Sequence, residues 1–257
     1  MYISTEVSNS VAIITLNRPE KFNSFIREMS LELQKALKAA GADENVRAIL
    51  LTANGKAFCA GQDLSEAIDP AGPGITRIVE EHYNPIILLM REMEKPIVVA
   101  VNGVAAGAGA NIALAGDLVL AGKGASFIQA FSKIGLIPDS GGTFILPRLI
   151  GWQRAAALMM TGEKVAAEAA EQMGMIYKAV DDDQLLKEAI VLSEQLAQLP
   201  TRGLGLTKRL LNESAANSLS QQLQREAVIQ TEAGATADHK EGVKAFLEKR
   251  KPVFTGR

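Results

Sequence analysis

The chain has 257 residues, and its 27 Lys and Arg against 29 Asp and Glu give a formal net charge of −2 and a pI near 5.8. Such a length can bury a substantial core without staples, and the charge balance lacks the basic excess that nucleic acid or an anionic membrane surface attracts. Cys59 is the single cysteine and cannot close an internal disulfide, no basic-then-apolar leader opens the chain, and the weakly polar stretch from Pro96 to Gly116 is too rich in Gly, Ala and Asn for a bilayer span. The expectation is a cytoplasmic protein with a small-molecule or protein partner, without nucleic acid and without membrane.

Tyr2 to Val7 and Val11 to Asn17 run apolar or alternate around Ser8-Asn9-Ser10, which predicts a β-hairpin. Met29, Leu33, Ala36, Leu37 and Ala40 recur at helical spacing and predict a helix over Arg27 to Ala40, followed by a buried strand at Ala48-Ile49-Leu50-Leu51. Glu66 to Ile75 contains Pro70, Gly72, Pro73 and Gly74, a composition that favours a mobile, lid-like connection. Ile78 to Met93 reads as one helix, ended by Lys95-Pro96 before the strand Ile97 to Val101. Short strands follow at Leu118 to Ala121 and at Ser126-Phe127, then helices around Leu149 and Leu158, and a last strand between Met175 and Val180. Beyond Asp182 the pattern is helical, broken at Leu199-Pro200, at Asn212 to Ser218 and at Gly234. The fold class is α/β, with a core over residues 1–199 and a helical region over 200–257. Because the helix from Ser220 to Glu232 has too few apolar groups for a core of its own, it is expected to pack on another surface.

Three small-residue loops carry the candidate chemistry. Ala60-Gly61-Gln62-Asp63-Leu64 and Gly107-Ala108-Gly109-Ala110-Asn111 each follow an apolar strand, and neither sets a bulky side chain beside the backbone N–H of Gln62 or Ala108. Two such donors can hold the negative charge that reaches a thioester oxygen when the adjacent carbon loses a proton, with about 2.7–4 kcal/mol at stake per donor. The second loop opens a helix, whose N-terminus also favours negative charge. Tight turns with glycines needed for packing alone are the alternative. A dinucleotide site would want a third glycine and a distant acidic residue that this chain lacks.

The third loop, Ile137-Pro138-Asp139-Ser140-Gly141-Gly142-Thr143, offers Asp139 as a base. The apolar run Gly135 to Pro138 is expected to desolvate the carboxylate and raise its pKa toward the range useful for moving a proton. Capping of the next helix is the competing role. Cys59 reads as a small buried residue rather than a nucleophile, and Asp63 as a turn or cap residue. His82 reads as solvated or structural, and with His239 it has no metal-binding spacing.

Asn17-Arg18-Pro19, Phe58 to Asp63, Val101-Asn102-Gly103 with Gly107-Ala108-Gly109, and Gly141-Gly142-Thr143 with Leu146-Pro147-Arg148 together resemble the crotonase superfamily, the enoyl-CoA hydratase/isomerase family, over almost the full length. The resemblance implies a spiral of β-β-α units, a C-terminal helical region that builds trimers or hexamers, and an acyl-CoA substrate with its thioester oxygen between the amides of Gln62 and Ala108. No separate cofactor is implied, since coenzyme A is part of the substrate. Its contacts would include Lys21, Phe22, Ala60, Gly61, Asp63, Leu64, Gly107, Asn111 and Phe131, with Phe246 and Lys249 from a neighbouring subunit. The positions that match the two glutamates of hydratases are Asn111 and Phe131, so hydration is disfavoured and a proton shuttle through Asp139 remains. Ala130-Phe131-Ser132-Lys133 with Gly135 to Asp139, and Glu241-Gly242-Val243 with Ala245-Phe246-Leu247, are most similar to the branch that converts a ring epoxide of phenylacetyl-CoA to its oxepin thioester. Allylic isomerisation of an aliphatic 3-enoyl-CoA is the alternative, ahead of hydration or simple acyl-CoA binding.

Overall fold

The computed structural model describes residues 1–257. β1 (Ile3–Ser8) and β2 (Val11–Leu16) form the expected antiparallel hairpin. Its two-residue turn puts Asn9 and Ser10 at φ 48° and 62°, the left-handed pair whose twist suits tightly joined strands. A single 3-10 turn at Pro19–Lys21 leads to α1 (Arg27–Ala42) and then to β3 (Ala48–Ala53) and β4 (Ala57–Cys59).

The stretch expected to be a mobile connection contains two single-turn helices, α2 (Leu64–Ala67) and α3 (Gly74–Arg77). Asp63 nucleates the first by accepting the Ser65 N–H at 3.0 Å. The helix expected over Ile78 to Met93 has two parts, a π turn at Ile78–Tyr83 and α4 (Asn84–Glu92). His82 lies in the π turn, wholly buried with neither ring nitrogen hydrogen-bonded, so of the solvated and structural roles expected for it the buried one is found. Burial holds its imidazole below the usual range.

Strand pairs then alternate with helices: β5 (Ile97–Val101), β6 (Val104–Ala106), α5 (Ala108–Leu114), β7 (Leu118–Gly122) and β8 (Ser126–Ile128). α6 (Gly142–Ile150), α7 (Trp152–Thr161), β9 (Lys164–Ala166), α8 (Ala167–Gln172) and β10 (Lys178–Val180) complete the winding. β1, β2, β3, β5, β7 and β10 build a six-stranded sheet in that order, parallel after the first pair. β4, β6, β8 and β9 build a smaller sheet, antiparallel only between its last two strands. Each of β3, β5 and β7 is followed at once by a short strand of the other sheet, which gives the spiral its repeat.

The larger sheet is apolar on both faces, as a parallel sheet covered on both sides requires. Ile49, Leu51, Ile97, Val99 and Val101 enter the main core under α1, α4 and α5, while Ala48, Leu50, Val98 and Ala100 face the opposite way. α9 (Leu185–Ala197) covers that second face with Leu185, Ala189 and Ala197. No residue beyond Ala197 enters either apolar cluster.

α10 (Thr201–Ser214), α11 (Leu219–Gly234) and α12 (Ala237–Leu247) follow, with breaks where the sequence pattern breaks. α10 is fastened by polar groups. Lys208 is buried and donates to Met90 O at 2.6 Å and Asp117 Oδ2 at 2.7 Å. Without Lys208, Asp117 keeps Arg91 at 3.4 Å but the Met90 carbonyl loses its side-chain donor. Lys208→Ala is therefore expected to lower the unfolding free energy by about 1–3 kcal/mol, the cost of leaving buried polar groups short of a partner, read from urea denaturation.

Candidate active site

β4 and β6 are parallel neighbours, so the loops that leave their C-terminal ends emerge side by side, the usual place for a site in a parallel sheet. After Cys59 the chain turns through Gly61 at φ 94°. Phe25 then clamps it from outside: the Phe25 N–H donates to Gly61 O at 2.7 Å, and the Asp63 N–H donates to Phe25 O at 2.8 Å. This leaves the Gln62 N–H, between them, without an acceptor in the chain. On the second loop Gly107 sits at φ 54° and precedes α5, so Ala108 is the first helical residue and its N–H has no intrahelical partner.

The two loops touch. A methyl group on Gly61 would lie 3.0 Å from Ala106 O and 3.6 Å from Ala108 N. Gly109 serves a different purpose, because a methyl group there would lie 2.4 Å from Cys59 O and 2.7 Å from its Sγ. Packing thus explains Gly109, whereas Gly61 and Gly107 also supply left-handed backbone. Cys59 is wholly buried and its thiol is pushed up to about 12 by desolvation, so it is inert at neutral pH.

Asp139 lies on the loop between a 3-10 turn at Ala130–Ile134 and α6. It does not cap that helix, which has Gly141 as its N-cap and no side-chain cap bond. Its carboxylate is half-buried, accepts the Ser140 hydroxyl at 2.8 Å and forms no salt bridge. Burial lifts its pKa above the ordinary carboxylate range, and the Ser140 hydrogen bond offsets part of that rise.

Of the apolar run expected to wall it, Leu136 and Ile137 are 41 % and 80 % exposed and Pro138 is half-buried. Asn111 of α5 donates to the Asp139 backbone carbonyl at 2.8 Å and so ties this loop to that helix.

Asn111 is buried and also accepts from Gln129 Nε2 at 2.8 Å. Its amide therefore bridges α5 to the Asp139 loop instead of projecting as a free substrate contact. Phe131 is buried beside Gly107, where a methyl group on the glycine would meet the ring at 3.8 Å. Asp63, expected among the substrate contacts and as a cap, is fixed by Ser65 Oγ at 2.7 Å and Arg18 Nη1 at 2.8 Å. Burial pushes its pKa upward, but those partners outweigh burial and hold it below the usual value.

Lys21, Phe22 and the Ala60 to Leu64 loop do come together, joined by the Ala60 N–H donating to Phe22 O at 3.0 Å. Phe22 and Leu64 remain exposed there. Phe246 and Lys249 lie elsewhere in the chain, Phe246 82 % exposed on α12 and Lys249 just beyond it.

Three further side chains, Glu66, Tyr83 and Ser140, reach this region. Tyr83 donates to Gln62 Oε1 and Glu66 accepts from Gln62 Nε2, both at 2.7 Å. The available signals were Tyr83 within an apolar helical pattern and Ser140 next to the candidate base.

Two touching loops at the ends of paired parallel strands thus carry amides without an acceptor in the chain, and a carboxylate without a cation lies on a third loop that Asn111 ties to α5. The chain belongs to the enoyl-CoA hydratase/isomerase family, whose model matches residues 6–257. It is 48 % identical over 259 residues to the 1,2-epoxyphenylacetyl-CoA isomerase of Escherichia coli K12, covering 100 % of this chain and 99 % of the relative. It is 44 % identical to the "Probable enoyl-CoA hydratase" of Rhodobacter capsulatus, covering 99 % and 98 % of the two chains. The crystal structure of an enoyl-CoA hydratase from Bacillus anthracis superposes with a TM-score of 0.93 at 32 % identity, covering 100 % of both chains. The chain is thus a member of an enzyme family with the crotonase fold.

Gly61→Ala tests the contact between the loops. The added methyl group meets the Ala106 carbonyl and strains a left-handed φ. Turnover should fall by about 10²–10³, the loss seen on removing one oxyanion donor, while circular dichroism retains the native fold.

Proposed function

We propose that this chain is an acyl-CoA isomerase in which Asp139 moves one proton while the amides of Gln62 and Ala108 hold the thioester enolate. The observation that carries the reading is a half-buried carboxylate with no cation and no capping duty, in a chain whose Gln62 and Ala108 amides lack acceptors on two touching loops. In its deprotonated form Asp139 takes a proton from the carbon alpha to the thioester. The C–H electron pair moves into conjugation and negative charge reaches the thioester oxygen, where two preorganised donors lower the barrier. The same carboxylic acid returns the proton at a conjugated carbon, so atoms balance without a redox partner.

The substrate we favour is a ring epoxide of phenylacetyl-CoA, converted to its oxepin thioester, in keeping with the E. coli relative's name and full-length similarity. The ring epoxide also opens the C–C bond between its two epoxide carbons, whose electron pair enters the π system of the seven-membered ring in a valence tautomerisation that needs no added reagent. An aliphatic 3-enoyl-CoA needs only the proton-transfer steps to reach the 2-enoyl form and is the second substrate class. The R. capsulatus relative's name favours hydration instead, but hydration calls for a second group to activate water. Asn111 holds the Asp139 carbonyl and Phe131 is a hydrocarbon ring, so neither matching position supplies one.

In this reading Lys21, Phe22, Ala60 and Leu64 border the coenzyme A moiety, and Phe246 and Lys249 reach it from another subunit of a trimer or hexamer. The exposed Trp152, Leu219, Leu223 and Phe246 are apolar surface suited to such contacts.

The test supplies a 3-enoyl-CoA and 1,2-epoxyphenylacetyl-CoA to the protein and follows isomer and hydrated product separately. Asp139→Asn should cost about 10²–10⁴ in turnover, the usual contribution of a positioned base. A hydrated product from the unaltered protein would overturn the isomerase reading. The acid limb of kcat/KM should lie above the ordinary aspartate pKa, because only ionised Asp139 accepts the proton. Ser140→Ala removes the hydrogen bond that favours the ionised form, so that limb should move to higher pH.

A further inference from the structure

One polar chain beside the two amides has no role in the proton transfer as described. At Ile78–Tyr83 the helix widens into a π turn, in which each N–H reaches back five residues and which tends to mark functional positions. It brings Tyr83 into the core, wholly buried, with its ring edge-on to Phe25 at a centroid distance of 5.9 Å.

The Tyr83 hydroxyl donates to Gln62 Oε1 at 2.7 Å, while Gln62 Nε2 donates to Glu66 Oε2 at 2.7 Å. Glu66 is itself held by the Arg27 N–H, which donates to Oε1 at 2.9 Å. The polarity of this chain is fixed. An ionised carboxylate only accepts, so the Gln62 amide must turn its nitrogen to Glu66 and its oxygen to Tyr83, leaving the hydroxyl as the only donor that oxygen can use there.

The same aromatic pair also reaches the backbone. Phe25, against which Tyr83 packs, forms the hydrogen bonds to Gly61 O and Asp63 N that frame the Gln62 peptide. Gln62 is therefore held through its side chain by Tyr83 and Glu66, and through its flanking peptides by Phe25.

We propose that Tyr83 is a positioning residue whose hydroxyl, acting through the Gln62 side chain against Glu66, fixes the direction of the Gln62 N–H at the thioester oxygen. The proposal rests on the two-amide reading above. It assigns Tyr83 no contact with the reacting atoms. A misdirected donor weakens the bond to a charge that is largest in the transition state, so the loss falls on kcat while KM changes little.

Tyr83→Phe keeps the ring and its packing on Phe25 and removes only the hydroxyl. It should lower kcat about tenfold, a fraction of the 10²–10³ lost when an oxyanion donor is removed outright. Glu66→Ala releases the other end of the amide without disturbing the buried ring and should give a similar loss. Gln62→Met keeps the backbone donor but removes both side-chain bonds. If Tyr83 acts through Gln62, the Tyr83→Phe/Gln62→Met double variant should be no slower than Gln62→Met alone.

A second readout uses phenylacetyl-CoA carrying 13C at its thioester carbonyl, which has no double bond to shift. Its bound carbonyl resonance should move downfield in the unaltered protein, and by less in Tyr83→Phe with Kd little changed. Multiplying losses in the double variant, or an unaltered resonance in Tyr83→Phe, would overturn the positioning role alone. A carbonyl resonance that does not move on binding to the unaltered protein would overturn the two-amide reading, and Tyr83's role with it.

Discussion

The close approach of two backbones at the ends of β4 and β6 is the constraint on which the rest of the site depends. Parallel pairing delivers both loops to one edge, yet pairing alone leaves side chains between them. Glycines remove that obstacle. Gly103 has Lys56 O 2.2 Å from where a methyl group would sit, Gly109 has Cys59 O at 2.4 Å, and Gly61 has Ala106 O at 3.0 Å. The first two contacts press β6 and α5 onto β4, and the third sets the loops edge to edge. With the loops in register, the Ala108 N–H follows from being first in a helix, and the Gln62 N–H from a bridge to Phe25 that uses the Gly61 carbonyl and the Asp63 N–H. The burial of Cys59 is a consequence of the same contact, which is why the lone thiol is a packing residue.

This dependence also explains what could be read from the sequence. The hairpin, β3, β5 and the long helices rest on local periodicity and punctuation, and they lie within a few residues of where alternation, helical spacing and Pro96 put them. The loops around Gly61, Gly107 and Asp139 were legible because small residues in tight turns are a local signal. β9 and α8 were not predicted: their three and six residues are too few for a clear period, and β9 is defined by pairing with β8. The π turn was invisible because its register differs from an α-helix by one residue within an otherwise ordinary apolar pattern. Asn111 finds Gln129 and Asp139 18 and 28 positions away, and Gln62 finds Glu66 and Tyr83 4 and 21 positions away. Of these only the Gln62 to Glu66 spacing has the length of a helical turn, and no motif announces the others. Asp139 stands out through its surroundings in sequence, but the exposure of Ile137 and the tie from Asn111 to its carbonyl have no local signal.

The acidic residues near the core fall into two electrostatic kinds, and the contrast bears on the reaction class. Asp63 is paired with Arg18, and Asp117 with Lys208 and Arg91, so their charges are neutralised where they are desolvated. Asp139 has a hydroxyl and no cation. Its raised pKa means the native state binds a proton more readily than the unfolded chain does, so its contribution to stability is greatest below the unfolded aspartate value and is lost as pH rises through the folded one. A partly desolvated carboxylate without a cation suits a base that must take and return the same proton, because a base paired with a cation gives up reactivity for stability. Hydration asks for something else, a second polar group to orient and deprotonate water. At the two matching positions stand an amide committed to the Asp139 carbonyl and a buried phenyl ring. The proton shuttle proposed above asks only for one such carboxylate.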